Sequence, residues 1–533
     1  MQNNTTKIIV GLVVVLVVAL GTWFIAGHQP VEDQPAEDQP VEDQPAEDQP
    51  EAPITLRIFD VDDTARSSYV LKTLESKFNV IFENRGIGSN FMEQYSVLIA
   101  AGDIPDIFTW LDFPAYTKFA AQGVLAELPI ATIQKYAPRI DAWLRKSVDG
   151  DPYAAFIRDG RNYALPNYSI MAENFNAFGI RKDWLRNVGI NKTPETLDEL
   201  ETALNKFTNG DPDGDGKDDT FGWSTDNLGI STLFYPVFGA YGVFPGIFTE
   251  ENGKIVRGEI QPATKQALTR LNKWFEAGYL DPEFFVNKWV NVTEKWLAEK
   301  FGVVTWAWWE LSPRDAFWSG SFKENLLQKN PNSELVIIPF PKGPDGQSGS
   351  FQHFPLASFI AFGRHLEQDQ EKLQKYLEVM DESSMNPEQL EFVFFGVEGR
   401  TFEKNADGDR EFIPPYDDET KRKEFGIGIN PGVNHQDYYN IQFQFMSKNR
   451  YLPFIDDVME LSTGKYDILS GIDKPVYNEI YESLDRFTYT SFVKFITGEK
   501  SINEFDSFVN QWKQMGGDRI MEEAQQKYDE FFK

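Results

Sequence analysis

The nine residues 211–219 read DPDGDGKDD, a run that sets carboxylates at alternate positions and then turns on a glycine. Asp211, Asp213 and Asp215 alternate, Gly216 follows at once, and Asp219 comes four residues after Asp215. This is the order of ligand positions 1, 3, 5, 6 and 9 in the calcium loop of an EF-hand. Ca²⁺ is a hard cation that takes about six to eight oxygens, and a loop curling round it aims alternate side chains inward. Gly216 permits the sharp turn, after which the carbonyl of Lys217 faces the ion and its ammonium is expected to point away. Without a cation, the five aspartates of this stretch repel one another at close range. A solvated surface turn is the alternative, because Asp-Pro and Asp-Gly pairs favour turns by themselves. Calcium is the preferred reading. Position 12 is Gly222 and not a bidentate glutamate, so another group must complete the shell, and a structural ion is expected rather than a switch.

A second set of residues suits recognition of sugar rings. Trp306, Trp308 and Trp309 stand together in FGVVTWAWWE (301–310), and Trp318 follows closely. An apolar strand containing Val303 and Val304 that ends in tryptophans sets flat rings where a loop would emerge. Sugars present apolar C–H faces that pack on aromatic planes, while their hydroxyls need carboxylates, amides or guanidinium groups nearby. Glu310, Arg314 and Arg400 are candidate polar partners. The competing fate of any one of these tryptophans is to fill a core. Peptide is the other ligand class that an aromatic-rich cleft suits.

Catalysis has no comparable signal. A glycosidase needs two carboxylates about 5 to 10 Å apart across a cleft, and 82 acidic residues make such pairs unavoidable without marking one. There is no nucleophile elbow, no HExxH pair and no phosphate loop; at 216–219 carboxylates stand where phosphate would have to sit. With no cysteine and only four histidines, a zinc or thiolate centre is not expected. A second Asp-rich turn, Asn405, Asp407 and Asp409, lacks later ligands and is expected to be a hairpin turn. The formal charge of −31 argues against nucleic acid, whose phosphates need a basic face.

Those residues must be held by a large body. A chain of 533 residues suits two or three lobes. From residue 54 onward strands and helices alternate, which predicts α/β architecture. Ile54, Leu56 and Ile58 alternate as in a strand, and a helix is expected over 69–78. Residues 95–110 read as helix, turn at Gly102 and Pro105, and buried strand. Thr196 and Glu199 form a capping-box pattern opening a helix whose Leu197, Leu200, Leu204 and Phe207 share a face. Further helices follow Pro262, with Leu268, Leu271 and Phe275 on one stripe, and cover 371–380, with Leu373, Tyr376, Leu377 and Met380 on another.

The N-terminus supplies an address. Residues 8–26 are an uncharged apolar run of nineteen residues, long enough to cross a bilayer as a helix and longer than the apolar core of a cleaved signal peptide. Lys7 before it and acids after it favour a cytoplasmic tail at 1–7. Residues 27–53 repeat QPVED and QPAED, with nine carboxylates between Glu32 and Glu51 and a proline every five residues. Such a segment buries nothing and is expected to be a disordered, extended tether. An uncleaved anchor is preferred over a signal peptide; either way the body lies outside the cytoplasm.

The body resembles the extracellular solute-binding proteins of ABC importers, family 1, and especially the subgroup with alginate-binding and other oligosaccharide-binding members. The matching pieces run in order: AAGDIPDIF (100–108), GVLAELP (123–129), GRNYALP (160–166), IRKDWL (180–185), PETLDEL (194–200), DPDGDGKDDT (211–220), EAGYLDPEF (276–284), GVEGR (396–400) and residues 496–520. The resemblance implies a two-lobed, periplasmic-binding-protein-like fold of the class II type with an interlobe ligand cleft. Lobe 1 would hold about 54–165 and 357–450, and lobe 2 about 166–356 and 451–533. It implies no enzyme activity and a monomer that carries a carbohydrate to the permease subunits of a transporter, or else a sensor or adhesion module of the same fold. It also implies structural calcium on Asp211, Asp213, Asp215, the Lys217 carbonyl and Asp219. Where the family often has a further acid, this chain has Thr220. The lipid-modified cysteine usual in Gram-positive members is missing too. By the same resemblance Trp110 and Tyr168 join Trp306, Trp308, Trp309, Glu310 and Arg400 as cleft candidates.

Overall fold

Segments rich in β-branched and aromatic residues, ITLRI, VIFEN, FGVVTWA and LVII among them, build strands that carry the fold. In chain order these are β1 (Ile54–Ile58), β2 (Val80–Asn84), β3 (Ile107–Phe108), β4 (Ala164–Tyr168), β5 (Asn176–Arg181), β6 (Phe221–Trp223), β7 (Phe301–Ala307), β8 (Leu335–Ile338), β9 (Ser350–Phe351), β10 (Leu356–Phe362) and β11 (Gly464–Lys465). The computed structural model describes residues 52–58, 67–84, 91–109, 111, 113–148, 150–168, 174–312, 321–428 and 452–532. The apolar run 8–26 and the repeats up to residue 51 lie outside these. Among the described residues no helix is long and apolar enough to cross a membrane.

Two sheets organise the body. In the first, β10 lies between β3 and β4, antiparallel to both, with Ile360 opposite Leu165 and Ala361 opposite Phe108. The parallel pair β1 and β2 belongs to the same core, which gathers Leu56, Val70, Tyr95, Phe108, Tyr116, Leu165, Phe362 and Tyr376. The second sheet has the order β8-β5-β7-β6, antiparallel except for the β7–β6 pair. Because side chains alternate along a strand, β7 sends Val303 into one core, with Trp184, Leu204, Trp223 and Trp274, and Val304 into another, with Trp296, Phe322 and Trp308.

Helices form where the periodicity places them. Tyr69–Phe78 is capped by Ser68, whose Oγ accepts from Leu71 N, and closes on Asn79 in the left-handed region. Leu197–Asn209 buries Leu197, Leu200, Leu204 and Phe207. Its cap Thr196 accepts from Glu199 N at 3.2 Å, a contact of the kind that contributes about 1 kcal/mol. The Glu199 carboxylate reaches back in turn and accepts from Glu195 N at 2.9 Å. Asn405 closes the hairpin between Phe402–Lys404 and Arg410–Phe412, its Oδ1 accepting from Asp407 N and Asp409 N.

The motif AAGDIPDIF has a structural job. Asp106 is 1% exposed, and its carboxylate accepts from His365 Nε2 at 2.7 Å, from Tyr376 Oη at 2.9 Å, from Arg57 N at 3.3 Å and from the Lys372 ammonium. Burial by itself would raise its pKa, but these donors more than offset that and hold it at about 2. One carboxylate thereby ties β1, β3 and the helix Gln370–Met385 together.

Candidate functional site

A cavity of about 500 Å³ opens at the end of β7, lined by residues of the second sheet and the chain around it. Trp289 and Trp306 form one wall, ring centroids 4.0 Å apart and planes 19° from parallel. Phe322 backs both rings. On another side Trp309 meets Phe175 edge to face at 4.6 Å, and Phe175 packs on His353 at 3.9 Å. Phe351 and Tyr235 extend this side. Asn176, Ser231, Thr232, Thr305, Glu310 and Ser350 supply polar groups among these rings. Thr305 Oγ1 is buried with no hydrogen-bond partner among the described residues.

Backbone geometry explains which tryptophans reach the cavity. Trp306 follows Val304 by two residues on β7 and so shares its face. The chain then enters a 3₁₀ turn, Trp308–Leu311, where successive side chains rotate by about 120°. Adjacent tryptophans therefore part company. Trp308 is 1% exposed and packs in the core, whereas Trp309 and Glu310 face the cavity.

The imidazole of His353 is accessible from the pocket but enclosed by protein, and desolvation pushes its pKa down to about 4. At neutral pH it is uncharged, offering one donor and one acceptor nitrogen.

Of the residues singled out in the sequence, the structure brings Trp306, Trp309 and Glu310 into this pocket. Tyr168 lies in the first core, where its hydroxyl donates to Pro152 O at 2.9 Å and burial pushes its pKa up to about 12. Arg400 spreads its guanidinium over Tyr69 and Phe425, at 4.5 and 4.7 Å, on the side of the first core. Trp110, Arg314 and Trp318 lie outside the described residues. Sequence reasoning passed over Phe175, Trp289, Tyr235, Phe351 and His353. The signal for the last two was the aromatic run FQHF at 351–354. Trp289 lies seven before the buried Trp296, a spacing that a core residue shares.

The aspartate loop is compact. Oxygens of Asp211, Asp213 and Asp215 all lie within 4.8 Å of one another. Asp211, Gly214 and Gly216 take left-handed backbone, with φ of 49°, 73° and 79°, which tightens the curl. Asp213 Oδ1 is buried with no partner among the described residues, and burial, together with the neighbouring carboxylates, raises its pKa. The Lys217 ammonium does not point away. It donates to Asp215 Oδ2 at 2.6 Å, since the carboxylate cluster attracts the nearest cation, and this contact lowers the Asp215 pKa. Asp219 is paired with Lys300 at 2.5 Å. Gly222, at position 12, lies on β6, where a Cβ would meet Leu204 Cδ2 at 2.5 Å, so no side chain fits there. The loop thus offers hard oxygen donors in a cluster, the chemistry that suits Ca²⁺.

Residues 84–362 match the family model of the bacterial extracellular solute-binding proteins, and the chain belongs to that family. Among curated relatives, it is 25% identical over 453 residues to the polygalacturonan/rhamnogalacturonan-binding protein YtcQ of Bacillus subtilis (strain 168), covering 83% of each chain. Among solved structures it superposes on the S. pneumoniae ABC-transporter substrate-binding protein FusA in complex with kestose, with a TM-score of 0.67 and 18% identity, over 90% of this chain and 99% of that one. It also superposes on the alginate-binding protein AlgQ2 without calcium ion, with a TM-score of 0.62 and 20% identity, over 90% and 98%. The fold is accordingly the two-lobed one of solute-binding proteins, a family of binders.

Proposed function

We propose that this protein is the extracytoplasmic substrate-binding component of an ABC importer, and that it holds an oligosaccharide against the ring wall of Trp289, Trp306, Trp309 and Phe175. The observation that carries this reading is that wall: aromatic rings line an open cavity at the end of β7, with hydroxyl, amide and carboxylate groups between them. Sugar C–H faces stack on the rings while Asn176, Ser231, Thr232 and Glu310 take hydroxyls. Ligand then stabilises the closed arrangement of the lobes by the contacts it makes only there, and the closed form is presented to the permease. YtcQ, named as a polygalacturonan/rhamnogalacturonan-binding protein, and FusA, solved in complex with kestose, agree with a glycan ligand.

Two parts of the proposal concern the rest of the chain. Asp211, Asp213 and Asp215, with the Lys217 carbonyl, hold a structural Ca²⁺, and Asp219 joins them on leaving Lys300. Residues 8–26 anchor the protein in the membrane, with 27–53 as the tether. Calorimetric titration of the purified protein with an oligosaccharide panel tests the central claim, and failure of every glycan to bind sinks it. Loss of uptake of the bound glycan on deleting the gene separates a carrier from a sensor. Recovery of a mature N-terminus near His28 in a soluble fraction would replace the anchor by a cleaved signal.

A further inference from the structure

We infer that the pocket selects neutral oligosaccharides and excludes polyuronates, an inference that rests on the carbohydrate reading above and narrows it. Family membership leaves this open, since named relatives include a polygalacturonan/rhamnogalacturonan-binding and an alginate-binding protein as well as a complex with kestose. The lining decides it. Among the described residues that face the cavity there is no lysine or arginine, and Glu310 is the one carboxylate. A polyuronate brings a carboxylate on every ring. Entering this site would strip water from that charge, and the described lining gives it neither a cation nor a fork of charged donors.

The rings add to the discrimination. An aromatic face carries the negative side of the ring quadrupole, so it accepts C–H groups and cations and disfavours an anion laid across it. Trp289 and Trp306 stack on each other in one wall, and Phe175 and Trp309 meet edge to face in another. His353 brings no positive charge at neutral pH: it sits between Phe175 and Phe351, at 3.9 and 5.1 Å, where desolvation pushes its pKa down to about 4. It therefore offers hydrogen bonds and no countercharge. The long-range field acts in the same sense: a chain with a formal charge of −31 slows the approach of a polyanion, most strongly at low salt.

The experiment titrates the full-length protein with neutral oligosaccharides (fructo-, gluco-, manno- and galacto-series) and with oligogalacturonates and oligoalginates of equal length. Each acidic compound is paired with its methyl ester, so that charge changes while ring stereochemistry stays fixed. The expected result is that the tightest ligand is neutral and that, within any pair that binds, the ester exceeds the acid by at least tenfold, with a wider gap at low salt. An acidic oligosaccharide as the tightest ligand, or a pair in which acid equals or exceeds ester, overturns the inference and leaves the carbohydrate reading standing. If no glycan of either kind binds, the carbohydrate reading itself fails and this inference with it.

Discussion

Trp289, at the first turn of the helix Trp289–Leu297, lies flat against Trp306 of β7, with their centroids 4.0 Å apart. Helix and strand each contribute one ring to a face-to-face stack. Losing Trp306 removes half of it. Trp306→Ala is expected to weaken glycan binding by about 2 kcal/mol, the scale of an aromatic hot spot. Trp308, two residues on, is 1% exposed and serves the core. Trp308→Ala is expected to cost about 3 to 5 kcal/mol of stability and to leave the affinity of the folded fraction unchanged. Melting curves and titrations of both variants give the two outcomes separately; equal loss of affinity in both would place the site elsewhere.

The aspartate loop makes a second prediction. In wild type, Ca²⁺ at about 100 times its Kd raises native stability by about 2.7 kcal/mol, because binding to the folded state alone shifts the equilibrium by that factor. The double variant Asp213→Ala, Asp215→Ala lacks two of the three clustered carboxylates and should show no calcium-dependent shift in Tm. In chelator the same variant should melt no lower than wild type, since like-charge repulsion is relieved. A wild-type Tm that ignores calcium would reduce the loop to a turn.

What the sequence made legible was local. Period-2 alternation at Ile54, Leu56 and Ile58 gave β1, and the stripe of Leu373, Tyr376, Leu377 and Met380 lies buried on its helix as the 3.6-residue period requires. The alternating aspartates gave the loop, because chelation is specified by neighbours in sequence. The pocket is different. Phe175, Trp289 and His353 come from three distant segments and meet only because β7 pairs with β5, setting Trp306 opposite Ala177. A ring that lines a cavity and a ring that fills a core are the same residue type. Trp308 and Trp309 are separated by a turn of backbone, and no pattern in residues 301–310 records which of them turns inward.

Asp106 predicts an acid-sensitive first core. Its folded pKa of about 2 lies below the value of 3.8 for an ordinary aspartate, so it binds fewer protons folded than unfolded between those limits. The resulting stability, about 2 kcal/mol, is fully present above pH 4 and is lost as pH falls toward 2. Asp106→Asn deletes this dependence and strips the buried Lys372 contact of its anion. The variant should be less stable than wild type at pH 7 by about 3 kcal/mol, with the gap closing as pH falls toward 2. Urea unfolding across pH 2 to 7 checks it; parallel curves would mean that Asp106 is not the group that titrates.

Gln352 gives the last prediction, and it concerns the junction beneath the pocket. Its side chain is fully buried between β9 and β10. The Oε1 atom accepts from Asn176 N at 2.8 Å, while Nε2 donates to Asn176 O at 3.1 Å and to Ser462 O at 3.3 Å, with Thr463 O at 3.4 Å. One amide thus links the start of β5, the β9–β10 passage and the chain ahead of β11. Asparagines reinforce it: Asn176 Nδ2 donates to Phe351 O, and Asn174 Nδ2 to Met459 O and Ser462 O. Gln352→Ala leaves a buried N–H and several carbonyls without partners, at a cost of about 1 to 3 kcal/mol. Gln352→Glu keeps the shape but turns the donor into a carboxylate oxygen facing two or three carbonyls, and it buries a charge. It should therefore destabilise more than alanine at pH 7 and recover partly at pH 4 as the carboxyl regains a proton. Thermal melts at both pH values decide the point: a glutamate variant as stable as wild type at pH 7 would show that this amide does not hold the junction.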